Sequence, residues 1–236
     1  MLLYLRALAG PDRAERFDLH LGCWLAAVAG ALNAGAFVLG GHFVSHMTGV
    51  VSTSADAVDR GDWHLAGAAL SLVAAFAAGA ATTAILVNWA RRSRLKSAFA
   101  LPLVVEAALL GVFAASGDKS AGPAVLVLAS YVMGLQNAVI TKVSGARMRT
   151  THVTGLVTDL GIEGGKYFFW NRRDDEPAVR ADRSKAFLLA ALLASFFAGG
   201  IAGSASFRRF GSAAAAPLSA FVFVLCAVPV WEDLSA

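Results

Sequence analysis

Long uncharged runs of apolar residues, separated by short polar connections, organise this chain. Five runs hold no Asp, Glu, Lys or Arg: Leu21 to Gly41, His64 to Ala90, Ala121 to Thr141, Ala186 to Ser206 and Ser212 to Trp231. Each reaches the length of about 20 residues that a helix needs to cross the hydrocarbon core of a bilayer. A sixth run, Ala98 to Ser116, is interrupted only by Glu106. A surface helix of a soluble protein keeps a charged or polar face toward water, and these runs offer none. The pattern predicts an all-α polytopic membrane protein with six transmembrane helices. The first run is longer than the apolar stretch of a secretory signal, and residues 11–20 before it are mixed in charge, so it reads as a retained span.

The pattern also repeats. Gly30-Ala31-Leu32-Asn33-Ala34 and then His46-Met47-Thr48-Gly49 in the first half answer Gly134-Leu135-Gln136-Asn137-Ala138 and then His152-Val153-Thr154-Gly155 in the second. Phe76-Ala77-Ala78-Gly79 answers Phe197-Ala198-Gly199-Gly200, and Ala100-Leu101-Pro102-Leu103 answers Ala216-Pro217-Leu218. Landmarks in one order define two repeats, residues 21–116 and 121–231, within a single membrane domain. Each repeat holds three spans, and an odd number of crossings turns the second copy upside down relative to the first. Inverted repeats of this kind recur in secondary transporters, whose sites lie between the repeats near the midplane.

Each repeat also carries a His-x-Thr-Gly segment between its first and second spans. A few extended residues lead into it, and a short helix-compatible stretch follows, Val50 to Asp59 or Leu156 to Phe168. Thr serves as a helix N-cap, and Gly lets backbone approach closely. Ten helical residues rise about 15 Å, half the thickness of the hydrocarbon core. The favoured arrangement is therefore re-entrant. Two half-helices would turn at Thr48-Gly49 and Thr154-Gly155 and bring their N-termini together at the midplane, around a common cavity. The alternative is a pair of amphipathic helices lying at the two membrane surfaces. Asp159, Glu163 and Lys166 share one face of the second helix, a stripe that suits either arrangement.

Composition agrees with a membrane location. The 236 residues are 57% hydrophobic and only 15% charged, against roughly a quarter charged in soluble domains. The mean hydropathy is +0.63. Cys23 and Cys226 both lie inside apolar runs, so neither a disulfide framework nor a zinc ribbon is expected. Of the 20 Lys and Arg residues, only Arg60, Lys119, Arg208 and Arg209 fall in the connections opposite the basic ones. The positive-inside rule then places both termini, the Arg91 to Lys96 cluster and the charged linker 171–185 in the cytoplasm. The pI near 9.4 reflects those connections and implies no nucleic-acid partner.

Polar residues within the runs are the candidate chemistry. Asn33 and Asn137 occupy matching places in the two repeats, either as hydrogen-bonded links between helices or as site-lining groups. Glu106 is the only ionisable acid or base within the spans; its charge is costly there, which marks it as a proton-coupling candidate beside Asp159. His42, His46 and His152 lack the further ligands that zinc needs, so no metal and no cofactor is expected. The every-fourth-residue pattern Gly67, Ser71, Ala75, Gly79, Thr83, and its partner Ala191, Ser195, Gly199, Gly203, reads as a helix-packing seam.

The motifs Phe43-Val44-Ser45-His46-Met47-Thr48-Gly49, Gly134-Leu135-Gln136-Asn137-Ala138 and Thr154-Gly155 resemble the YoaK family of bacterial multi-pass membrane proteins, which carry a domain of unknown function. The resemblance runs from about Gly22 to Val228. Val50 stands where the family pattern carries Asn. What the resemblance implies is a bacterial inner-membrane protein, with no substrate attached. The residues themselves predict a small-solute or ion transporter or channel that is not an enzyme. Its substrate-binding candidates are Asn33, His46, Thr48, Gly49, Asn137, His152, Thr154 and Gly155. A small anion or organic acid is the expected solute, the lipid bilayer the expected partner, and a homo-oligomer an open arrangement. The competing reading is a non-transporting accessory, assembly or sensor protein.

Overall fold

The structure is a computed structural model that describes residues 15–117, 122–145, 148–171 and 178–235. The arm with Arg6 and Arg13, Lys119, the start of the expected fourth span at Ala121, and residues 172–177 of the charged linker lie outside the described residues. Among the described residues every regular element is helical. The elements are α1 (Glu15–Gly40), α2 (Met47–Asp59), α3 (Trp63–Arg92), α4 (Ala100–Ala115), α5 (Pro123–Val143), α6 (Val153–Phe168), α7 (Arg183–Phe210) and α8 (Ala215–Leu234), with a 3-10 turn, Gly211–Ala214, before the last.

Local chemistry sets these boundaries. Asp62 caps α3 by accepting from the Leu65 N–H at 3.0 Å, and Asp182 caps α7 in the same way from Lys185 at 3.0 Å. Pro123 opens α5 at a position where its missing N–H costs nothing. Gly41 and Gly145 end α1 and the turn after α5 with φ of 71° and 59°, a backbone region that suits glycine.

Four stretches are long and apolar enough to cross a membrane: Phe17–Gly40, Trp63–Arg92, Pro123–Val143 and Arg183–Leu234. The last extends over 52 residues and comprises α7 and α8, broken at Gly211 with φ of 60°. The run expected to cross as Ala98 to Ser116 forms a 16-residue helix, α4. At 1.5 Å per residue it rises about 24 Å, short of a full hydrocarbon core.

Helices α1 and α7 run side by side in the same direction, and so do α3 and α5; α4 and α8 form an antiparallel pair. Glycine makes both parallel pairs tight. A Cβ on Gly30 or Gly199 would run into the backbone carbonyls of Phe196 and Ala27. One on Gly134 or Gly79 would run into those of Phe76 and Tyr131. These contacts make Phe196 the counterpart of Phe76, one residue earlier than the Phe197 that the sequence comparison aligned with it. They also divide the small-residue stripe of α3. Ala75, Gly79 and Thr83 are buried, and Thr83 Oγ1 donates to the Leu135 carbonyl at 2.9 Å. Gly67 has open space, and Ser71 turns back to its own helix, donating to Ala68.

The chain doubles back twice. After Gly41 it returns along α1: the Phe43 ring stacks on Phe37 with centroids 4.4 Å apart, and the Ser45 N–H reaches Asn33 Oδ1 at 3.0 Å. Ser130 of α5 holds this return inside the bundle, donating to the carbonyls of Val44 at 3.3 Å and Leu72 at 2.8 Å. Helix α2 then runs back out against α3, where Ser54 meets the Ala66 carbonyl at 3.3 Å. After Gly145 the chain again returns, along α5, and Thr151 Oγ1 donates to Asn137 Oδ1 at 2.8 Å. Helix α6 follows and packs against α7.

Candidate functional site: the two folded-back segments

Sequence alone casts Thr48 and Thr154 as N-caps. The structure moves the caps two residues earlier. His46 and His152 are the N-cap residues, neither making a side-chain cap bond, and the threonines sit inside the first helical turn. The reason is the imidazole. Each His ring lies over the glycine three residues on, with a Gly49 Cβ position 3.4 Å from His46 Cδ2, while a Cβ on Gly155 would collide with the His152 ring. His-x-Thr-Gly is therefore a packing unit, a ring folded over a bare backbone, and among the described residues no N-cap side chain bonds the first-turn amides of α2 or α6.

Asn33 and Asn137 each use Oδ1 to hold the returning chain. Their amide nitrogens differ. Asn137 Nδ2 donates to the Met133 carbonyl of its own helix at 2.8 Å. Asn33 is 8% exposed, and its Nδ2 has no partner among the described residues. Beside Asn137, Gln136 is fully buried and donates through Nε2 to the Leu25 carbonyl, tying α5 to α1.

Two hollows adjoin the first segment. One, of about 360 Å³, is lined by His42, His46, Gly49 and Thr53, with Ser71 and Leu72 of α3 opposite. The other is an open groove of about 620 Å³ between α1 and α7, with Asn33 and Phe43 on its wall. Neither is lined by His152, Thr154 or Gly155, and Thr48 lines neither. The first segment is packed on α3 and the second on α7. The structure thus places His46 and Gly49 in one hollow and Asn33 in the adjoining one, with Asn137 holding the second segment elsewhere. It shows no described cavity shared by both Thr-Gly turns.

Glu106 lies in α4 at 0% exposure, with both carboxylate oxygens lacking a hydrogen-bond partner among the described residues. Phe221, which the sequence comparison sets opposite it, instead packs its ring against Trp24 at 5.3 Å. The stripe on α6 is occupied. Glu163 accepts from Lys166 Nζ at 2.9 Å and from the Asp182 N–H at 2.8 Å, and Lys185 Nζ lies 3.4 Å from Asp159. These bonds fasten α6 to the start of α7. Among the described residues, no group of three or more His, Cys, Asp or Glu residues is placed to hold a metal.

The profile of a family described as protein of unknown function (DUF1275) matches residues 21–228. The chain belongs to the DUF1275 family. The match covers both folded-back segments, both asparagines and Glu106, so these features sit inside the DUF1275 domain. No curated protein and no solved structure matches this DUF1275 chain.

Sequence reasoning missed Ser45, Ser130 and Thr151, which hold the returning segments, because bonds to a distant carbonyl or amide leave no local signature. It also counted Arg208 only as a connection charge. A Ser204 and Arg208 pair four apart at the end of the apolar run of α7 is the signal that could have drawn attention to that face.

Proposed function

We propose that this DUF1275 protein carries a small solute or ion across a bacterial inner membrane, as a transporter or channel and not as an enzyme. It does so with six spans in two inverted repeats. The observation that carries the reading is the paired return of the chain, at Gly41 and at Gly145, to matching asparagines. Asn33 lies seven residues before Gly40, about 10 Å along the helix at 1.5 Å per residue. In a hydrocarbon core about 30 Å thick, α2 and α6 are on this reading re-entrant half-helices that start near the middle. Irregular backbone at that depth is tolerated where protein or a watery cavity surrounds it, and the 360 Å³ hollow beside His46 and Gly49 supplies such a surrounding.

Orientation follows from charge. Arg91, Arg92, Arg94, Lys96, Lys142, Lys166 and Lys185 belong to one end of the bundle, and Arg60, Arg208 and Arg209 to the other. The first end is cytoplasmic by the positive-inside rule. The solute site then comprises Asn33, His46, Thr48 and Gly49 on the outer half and Asn137, His152, Thr154 and Gly155 on the inner half. Unpaired first-turn amides favour an anion at each. Glu106, buried without a partner, is the candidate for proton coupling; Asp159 is a second, weaker one because Lys185 engages it.

Purified protein in liposomes tests the reading. Uptake of small anions and organic acids, with and without an imposed pH gradient, is expected to exceed that of empty vesicles and to fall at least about tenfold in Thr48→Val/Thr154→Val, about 1.4 kcal/mol of lost interaction. Flux equal to empty vesicles across the panel overturns it in favour of a non-transporting accessory role.

A further inference from the structure

The groove between α1 and α7 has a chemistry of its own. Gly30, Phe196, Phe197 and Ile201 give it an apolar floor, and Asn33, Ser204 and Arg208 line the same hollow as its polar groups. Gly203 packs on Ala31, so Ser204 stands at about the level of Asn33, and Arg208 one turn beyond.

Two features of the polar groups point outward from the fold. Asn33 is nine-tenths buried, and its Oδ1 is committed to the Ser45 N–H, a donor that fixes which end of the amide is oxygen. Asn33 lines the groove, and its Nδ2 has nothing to bond among the described residues. Arg208 donates through Nη2 to Ser204 Oγ at 3.2 Å and has no ion pair among the described residues. Among the described residues no carboxylate lines the groove. A fixed positive charge and an idle amide donor therefore converge on a space floored by aromatic rings. The second repeat offers no equivalent, because Asn137 Nδ2 is spent on Met133.

We propose that this groove binds a monocarboxylate with an apolar body, its carboxylate bridging Arg208 and Asn33 and its body lying on Phe196, Phe197 and Ile201. The carboxylate supplies what both donors lack, through charge-assisted hydrogen bonds. An alcohol satisfies the amide but leaves the guanidinium unpaired, and an amine is repelled. The site shares Asn33 with the solute-carrying reading but goes beyond it, since binding here stands or falls without flux.

Thermal unfolding of the full chain in a neutral detergent, titrated with octanoate, octanol and octylamine, tests it. Octanoate is expected to raise the midpoint with concentration, with an affinity at least about tenfold above that of octanol. Arg208→Gln should abolish that preference. Asn33→Asp should do the same, because it keeps an acceptor for Ser45 while replacing the donor with a repelling oxygen. Arg209→Gln, next to the groove but outside its lining, should leave the preference unchanged. Equal shifts from octanoate and octanol overturn the proposal, as does an octanoate preference that survives Arg208→Gln. So does displacement of octanoate by phosphatidylglycerol at equal or lower concentration, which would make the groove a lipid headgroup site.

Discussion

At the scale of single residues, identity was readable in the sequence and partnership was not. The matching asparagines stood out because they recur at the same place in two copies. Which atom of each is spent depends on Ser45 and Thr151, residues brought up by turns at Gly41 and Gly145. The His-x-Thr-Gly motif was equally visible, but the role of its histidine requires knowing that the ring closes over the glycine. Glu163 is a similar case: its sequence position placed it on a charged stripe that suited either arrangement, and the structure buries it at 2% exposure among donors. The Lys166 ammonium bonded to it, with help from the Asp182 N–H and despite burial, holds its carboxyl below the ordinary carboxylate range. The charged form is thus favoured in the folded protein. Its contribution is complete above the ordinary value of about 4.3 and is lost as pH falls through the lower folded value. The midpoint difference between the wild type and Glu163→Gln is therefore expected to be largest near neutral pH and to shrink below about pH 4 in a pH series of melting curves. Asp159→Asn, which breaks only a half-exposed pair, should change the midpoint little at any pH. A Glu163→Gln difference that grows on acidification would contradict the bonding described.

At the scale of elements, uncharged runs located the helices because burial in lipid tolerates no interruption. They parted the last two runs at Arg208 and Arg209 but could not show the bend between α7 and α8, which rests on the positive φ of Gly211. Nor could they show that α4 stops at 16 residues. The four-residue stripes were legible as packing seams, yet a stripe does not reveal where along its length a neighbour lies. On α3 the contact with α5 begins only past the first two turns, where Leu72 accepts from Ser130. Gly79 touches the Tyr131 carbonyl, whereas Gly67 faces open space. Gly79→Ala is expected to force α3 and α5 apart and to cost about 1–3 kcal/mol by overpacking. Gly67→Ala should stay within about 0.5 kcal/mol of the wild type. Unfolding midpoints in mixed micelles compare the two directly, and Gly199→Ala on α7 should behave like Gly79→Ala because it meets the Ala27 carbonyl in the same manner. Equal effects at positions 67 and 79 would remove the glycine contact as the cause of the tight α3 and α5 pairing.

At the scale of the whole molecule, the question is how two similar halves are disposed. Repeated landmarks point to two copies and a charge count to their opposition, but neither says which helix lies against which. The structure pairs each copy's second long helix with the other copy's first: α3 with α5, and α7 with α1. Each pair is parallel, and Asp62 and Asp182 cap the equivalent helices α3 and α7. If both pairs are parallel and the copies are inverted, the α2 to α3 connection and the α6 to α7 connection must emerge on opposite faces of the membrane. Copies of the same orientation would place both on one face. Arg60 and Arg180 are exposed in these two connections, and neither is a capping residue of α3 or α7. In a chain whose own Cys23 and Cys226 are replaced by Ser, Arg60→Cys is expected to react with an impermeant maleimide applied to intact cells. Arg180→Cys should react only after the membrane is opened. Labelling of both from outside, or of neither, would mean that the halves are not inverted, and the two folded-back segments would then open toward the same compartment and could not form the two sides of one pathway.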